Sequence, residues 1–143
     1  MTQSRELRSG SAAETEAIGA ELAADLGPGD VVLVSGDLGA GKTTLIRGAC
    51  RALGVEGPVT SPTFTIGQRY RGRHPVSHLD LFRLAGLEGE DPALLEDYLT
   101  ADSVAFVGWP DVAEPQLGGI ARRVGIEHAG ADTRVITIEK PGG

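Results

Sequence analysis

The sequence predicts a mixed α/β fold: one β-sheet flanked by helices, with antiparallel hairpins. Three observations predict it. Val31-Val32-Leu33-Val34 is a short apolar run rich in β-branched residues, the pattern of a strand buried on both faces. A glycine-rich stretch, Gly36 to Gly41, separates that run from a helix-like segment beginning at about Lys42. Two further pairs of strand-like segments are each joined by a turn-forming stretch, the signature of hairpins.

The elements follow in order. Ser11-Ala-Ala-Glu14 fits a capping box, in which the two polar side chains satisfy orphan amides at a helix start. Ile18, Leu22 and Leu26 then recur at helical spacing, and Gly27-Pro28-Gly29-Asp30 stops the helix. After the first strand and its loop, the second helix runs from about Lys42 to Leu53, with Gly54 as its stop. Phe64, Ile66, Gln68 and Tyr70 alternate as on a strand, 71–75 turns the chain, and Val76 to Leu81 returns. Asp91-Pro92 places an N-cap and a first-turn proline for a short helix carrying Leu94, Leu95 and Tyr98. Val104 to Val107 is another buried-type strand, and Glu114 to Gly119 reads as a loop. Val124 to His128 and Arg134 to Glu139 flank Ala129-Gly130-Ala131-Asp132 as a closing hairpin. The 143 residues suit one domain, 1–143, with about 1–9 and 141–143 expected as flexible ends.

Composition narrows the function. Thirteen basic against twenty acidic residues give a net charge of −7, which argues against a general DNA or RNA binder, whose affinity comes largely from phosphate neutralisation. Cys50 is the single cysteine, so the chain can form neither an internal disulfide nor a cysteine metal cluster. No leader-like segment or run of about 20 apolar residues is present, so the expected address is the cytoplasm, away from membranes.

One motif carries the chemistry. Gly36-Asp37-Leu38-Gly39-Ala40-Gly41-Lys42-Thr43 matches the P-loop pattern G-x-x-x-x-G-K-[ST]. A polyphosphate needs several amide donors converging on its oxygens, and only a loop poor in Cβ atoms wraps that closely. The helix that follows presents unpaired amides and a positive dipole end. At average composition such a match arises by chance in roughly 0.5% of chains this long. One of only two lysines, moreover, falls on the required position. The expected ligands are therefore ATP and Mg²⁺. Leu38, Gly39, Ala40, Gly41, Lys42, Thr43 and Thr44 surround the phosphates, Lys42 supplies the cation, and the Thr43 hydroxyl is the metal ligand. A GTPase reading fails because its usual Asn-Lys-x-Asp element needs asparagine, and the chain has none.

Further motifs resemble one family. Gly36 to Thr44 is followed by Ser61-Pro62-Thr63-Phe64-Thr65, His78-Leu79-Asp80-Leu81-Phe82-Arg83-Leu84 and Trp109-Pro110. Their order and spacing resemble TsaE (YjeE), the small ATPase of bacterial tRNA threonylcarbamoyladenosine (t6A) synthesis. The resemblance implies a cytoplasmic accessory ATPase that docks on the TsaB–TsaD transferase pair and meets tRNA only indirectly or through that complex. It implies that Asp80 is an essential acid, orienting the attacking water or holding Mg²⁺ through water. It also implies that Ser61 to Thr65 form a loop sensing the terminal phosphate through Thr63 or Thr65.

Other positions stay open. Trp109 covers the nucleotide or packs the core. Arg83 contacts phosphate or pairs with an acid. His78 reads as structural rather than as a base. Arg69, Arg71, Arg73 and His74 form a basic hairpin tip, either a solvated turn or a contact with tRNA or partner proteins.

The chain also departs from the family pattern. A Glu typical before Trp-Pro, associated with the metal, is Gly108 here, and Phe82 stands where Tyr is common. Asp80 or Asp111 then substitutes for the acid, or hydrolysis is weakened while binding persists. A nucleotide-gated binding module is the alternative function. A small-molecule kinase is less favoured, since no acceptor pocket is visible.

Overall fold

The computed structural model describes residues 3–36, 41–57, 59, 67–80, 100–109, 120–130 and 132–140. The expectations for 37–40, 61–66, 81–99, 110–119 and 141–143 lie outside the described residues.

Among the described residues seven strands form one mixed sheet: β1 (Gln3–Ser9), β2 (Val31–Gly36), β3 (Gly67–Arg71), β4 (Pro75–Asp80), β5 (Val104–Trp109), β6 (Ile120–His128) and β7 (Arg134–Lys140). Their spatial order is β1-β7-β6-β2-β5-β4-β3. β2 lies parallel to both neighbours, β5 and β6, and β4 is parallel to β5. The antiparallel pairs β3–β4, β6–β7 and β1–β7 complete the two sides. Four parallel strands thus end at one rim of the sheet. A chain running β2 to helix to parallel strand must place its loops at that rim, where α/β folds hold ligands.

The apolar runs explain the core. Val31 to Val34 are all buried, as a strand covered on both faces requires. One face packs Val32, Val34, Val76, Val104, Phe106, Val124, Ile126 and Ile136 against two helices, α1 (Ala12–Ala23) and α2 (Lys42–Ala52). The other face buries Val31, Leu33, Leu79, Ala105 and Val107.

The helices meet backbone to backbone. A Cβ at Gly48 would collide with the Glu16 carbonyl, and one at Gly19 with the Leu45 carbonyl. The buried stripe of α1 is consequently Thr15, Gly19, Leu22 and Ala23, shifted from the predicted Ile18–Leu22–Leu26 line towards the small residues that permit the approach. Cys50 sits fully buried in this layer, and desolvation pushes its thiol from 9.0 up to about 12. A thiol so placed stays protonated at neutral pH.

One expectation needs correction. Residues 3–9, anticipated as a flexible end, form β1, paired with β7 from Gln3↔Lys140 to Ser9↔Arg134. Its polar sequence shows no apolar alternation because main-chain hydrogen bonds to β7 hold it. The sheet thus ends on β1, with exposed Arg5 and Arg8, and on β3, with exposed Arg69 and Arg71. Among the described residues no helix is long and apolar enough to cross a membrane.

Candidate phosphate-binding site

β2 delivers the chain to Gly36 at the rim, in a left-side conformation of φ +147°, where any Cβ would strike the Ile126 carbonyl of β6. The chain re-enters the described structure at Gly41, φ +103°, the residue that caps α2. Both ends of the loop therefore require glycine, one for close approach and one for a left-handed turn. The interior residues Leu38, Gly39 and Ala40 lie outside the described residues.

Helix α2 begins without help from side chains. Gly41 offers no capping group, and the first turn holds no acidic residue. The Leu45 amide donates to the Gly41 carbonyl at 3.0 Å, closing the first intrahelical bond. A helix start of this kind presents amide donors and a partial positive charge to the loop mouth. Lys42, the first helical residue, folds back so that its Nζ donates to the Gly36 carbonyl at 2.7 Å. The ammonium is thereby held across the mouth of the loop. Thr43 and Thr44 follow, half-buried on the same first turn. This donor set fits a polyphosphate: amides, one cation and the Thr43 hydroxyl, with no competing carboxylate on the helix. Among the described residues no cluster of three or more His, Cys, Asp or Glu side chains could hold a metal.

The acidic side of the site is set by register. Gly108 is buried on β5, opposite Val34 of β2 on one side and Asp80 of β4 on the other. It therefore occupies the strand next to the loop's own strand. Asp80 ends β4 one strand further out, so its Cα lies two inter-strand steps, about 10 Å, from β2. The side chains of Asp80 and Trp109 lie outside the described residues; Trp109 itself closes β5 opposite Ser35. Arg83, Pro110 and Asp111 lie outside them too. His78 is 3% exposed, paired in register with Gln68 and Phe106 inside the sheet.

The basic hairpin tip has a structural task that spacing did not reveal. The Arg73 guanidinium donates to the Ala52 carbonyl and its amide to the Leu53 carbonyl at 2.8 Å. Arg73 thus satisfies the C-terminal carbonyls of α2, where a cation complements the helix dipole. Arg69 and Arg71 remain exposed on β3. Sequence separation of about 20 residues hid the Arg73 contact.

The chain was compared with known proteins. The family model described as threonylcarbamoyl adenosine biosynthesis protein TsaE matches residues 9–136. A Bacillus subtilis protein named tRNA threonylcarbamoyladenosine biosynthesis protein TsaE is 42% identical over 130 residues, covering 90% of this chain and 81% of that one. The protein of the same name from Mycobacterium bovis is 38% identical over 134 residues, covering 87% and 80%. The crystal structure of Bacillus subtilis YdiB superposes with a TM-score of 0.80 at 36% identity, covering 99% of this chain and 88% of that one.

Proposed function

The chain belongs to the TsaE family, involved in t6A biosynthesis on tRNA, and from that premise we propose that it is a P-loop ATPase serving the TsaB–TsaD transferase pair. One observation carries the nucleotide reading: a strand and an uncapped helix joined through Gly36 and Gly41, with the Lys42 ammonium held across the loop mouth.

In this reading the incoming phosphates replace the Gly36 carbonyl as partners of Lys42. The first amides of α2 donate to the phosphate oxygens, exchanging water for fixed dipoles that need no reorganisation. The Thr43 hydroxyl would be the protein's ligand to a magnesium ion, which would supply charge neutralisation to the phosphates. The chain's net charge of −7 repels a free nucleotide at long range, so affinity comes from this local donor set.

Hydrolysis is a separate matter. With Gly108 beside the loop's strand, no carboxylate stands one strand from the phosphates at that register. Asp80, on the strand beyond Gly108, would orient the attacking water or hold the metal through water. The same glycine supports a second reading, in which nucleotide binding gates docking on the partner pair and turnover is marginal.

The test is steady-state ATP hydrolysis with and without TsaB–TsaD, beside partner affinity measured with ATP, ADP and a non-hydrolysable analogue. The ATPase reading expects partner-dependent turnover, and Gly108→Glu to raise the Mg²⁺-dependent rate. Nucleotide-dependent docking with no turnover in either protein supports the gated module. Docking and turnover both indifferent to nucleotide would overturn the proposal.

A further inference from the structure

The sheet face that packs on the helices changes character at one corner. Val34, Val124 and Ile138 share a register row on that face, and Arg5 continues the row onto β1. Alternation along the strands adds Arg122 of β6 and Lys140 of β7 to the same face, at the rim where β2 begins. The phosphate loop lies at the other end of β2. Elsewhere this face carries valine, isoleucine and phenylalanine. Helix α1 faces the corner with Ile18 and Leu22 at helical spacing, then Glu21 and, just past its end, Asp25.

These elements enclose a cavity of about 240 Å³. Its apolar lining is Ile18, Leu22 and Ile138; its charged lining is Arg5, Arg122 and Lys140 from the sheet, with Glu21 and Asp25 opposite. No residue of the loop or of the α2 start takes part. The volume lies just below that of sites for drug-sized ligands, about 300–1,000 Å³, so the occupant is a short molecule.

Arg122 decides its chemistry. The side chain is 13% exposed, whereas Asp25, its ionic partner at 3.7 Å, is 73% exposed. A nearly buried cation is thus answered by a carboxylate standing in water. The guanidinium has five N–H donors, and Nη1 uses one on the Ala121 carbonyl at 2.7 Å. Asp25 is beyond hydrogen-bond distance, so among the described residues no carboxylate engages the fork by hydrogen bonds. Arg5 is committed to Glu21, donating to it at 3.3 Å. Three cations against two carboxylates leave one positive charge in excess, on a chain of net charge −7. A dianion would be repelled by Glu21 and Asp25, and a neutral molecule would not answer the fork. A single carboxylate takes two parallel bonds from a guanidinium, and the aliphatic lining covers an apolar body.

We propose that this cavity binds a small monocarboxylate with a short aliphatic body, its carboxylate on the Arg122 guanidinium and its hydrocarbon on Ile18, Leu22 and Ile138. The site goes beyond the nucleotide reading and stands or falls without it.

The probe is isovalerate, titrated into the full chain by calorimetry and methyl NMR beside neutral isovaleramide, inorganic phosphate and free leucine. Isovalerate binds about tenfold or more tighter than the amide or phosphate, and shifts the methyl signals of Ile18, Leu22 and Ile138. Arg122→Gln loses about tenfold for isovalerate and leaves the amide unchanged. Asp25→Asn gains about threefold, since a competitor for the guanidinium has gone. A thermal melt checks each fold; if Arg122→Gln unfolds, Arg122→Lys, which keeps the charge without the fork, loses about threefold. Tripolyphosphate leaves isovalerate bound. Equal binding of acid and amide, no binding of either, or an Arg122 variant matching the parent overturns the site. Displacement by tripolyphosphate puts the acid on the phosphate loop and overturns it as well. Leucine binding about tenfold tighter than isovalerate, and weakened by Asp25→Asn, makes the ligand a zwitterion and overturns the monocarboxylate assignment.

Discussion

Helix α1 starts with its amides already provided for: Ser11 Oγ accepts from Glu14, and the Glu14 carboxylate accepts the Gly10 amide at 3.1 Å. Helix α2, packed against it through Gly19 and Gly48, starts on a glycine with no capping group and carries a lysine at its first position. The first arrangement stabilises the free protein. The second does the reverse, since a cation at a helix N-terminus opposes the dipole by about 0.3–1 kcal/mol. Two neighbouring helices of one chain thus start in opposite ways, one capped by its own side chains and one without a side-chain cap.

The contrast can be broken at either helix. The largest effect is expected from Lys42→Ala. Mg-ATP affinity should fall about 100-fold by calorimetry, since a charge-assisted contact is lost. The melting temperature of the ligand-free protein should change far less, because the lost bond to the Gly36 carbonyl is partly offset by relief of the charge opposing the dipole. A parallel loss of both would mean that Lys42 is a fold residue. Next comes Gly41→Ala, which forces a side chain into a left-handed conformation and sets its Cβ 3.4 Å from Ile126 Cδ1. Urea unfolding should show a loss of about 1–2 kcal/mol. Glu14→Ala acts on the other start, removing the acceptor of the Gly10 amide and an acid from the first turn of α1. A loss of about 0.5–1 kcal/mol is expected.

The smallest effect concerns the interior of α2. Burial holds the Cys50 thiol at about 12 against an ordinary 9.0, so the unfolded chain ionises first as pH rises. This contribution is complete below pH 9 and lost between about pH 9 and 12. Cys50→Ala should make the alkaline decline in stability shallower.

The same contrast marks what could be read from the chain and what could not. Ser11 and Glu14 announce the α1 cap because both partners lie within four residues, although the carboxylate reaches back to Gly10 rather than to Ser11. Gly36, Gly41 and Lys42 announce the loop because its chemistry restricts residue type at fixed spacing. Val31 to Val34 and the two hairpins were legible from composition and turn residues. β1 was not, since an edge strand held by main-chain pairing needs no apolar pattern. Gly19 and Gly48 read as weak helix positions, and only the packed pair shows that they let two backbones touch. The cavity walled by Arg5 and Arg122 joins residues more than a hundred positions apart, which no local pattern encodes.

The arginines that end the sheet have a last consequence. An edge strand offers unpaired main-chain groups to any passing chain, and rows of charge are a common defence against such zippering. With Arg5, Glu6 and Arg8 along one margin, Arg5 paired with Glu21, and Arg69 and Arg71 along the other, both edges carry charged side chains that a second copy would have to strip of water. The open sheet is thereby guarded against growing into a fibre.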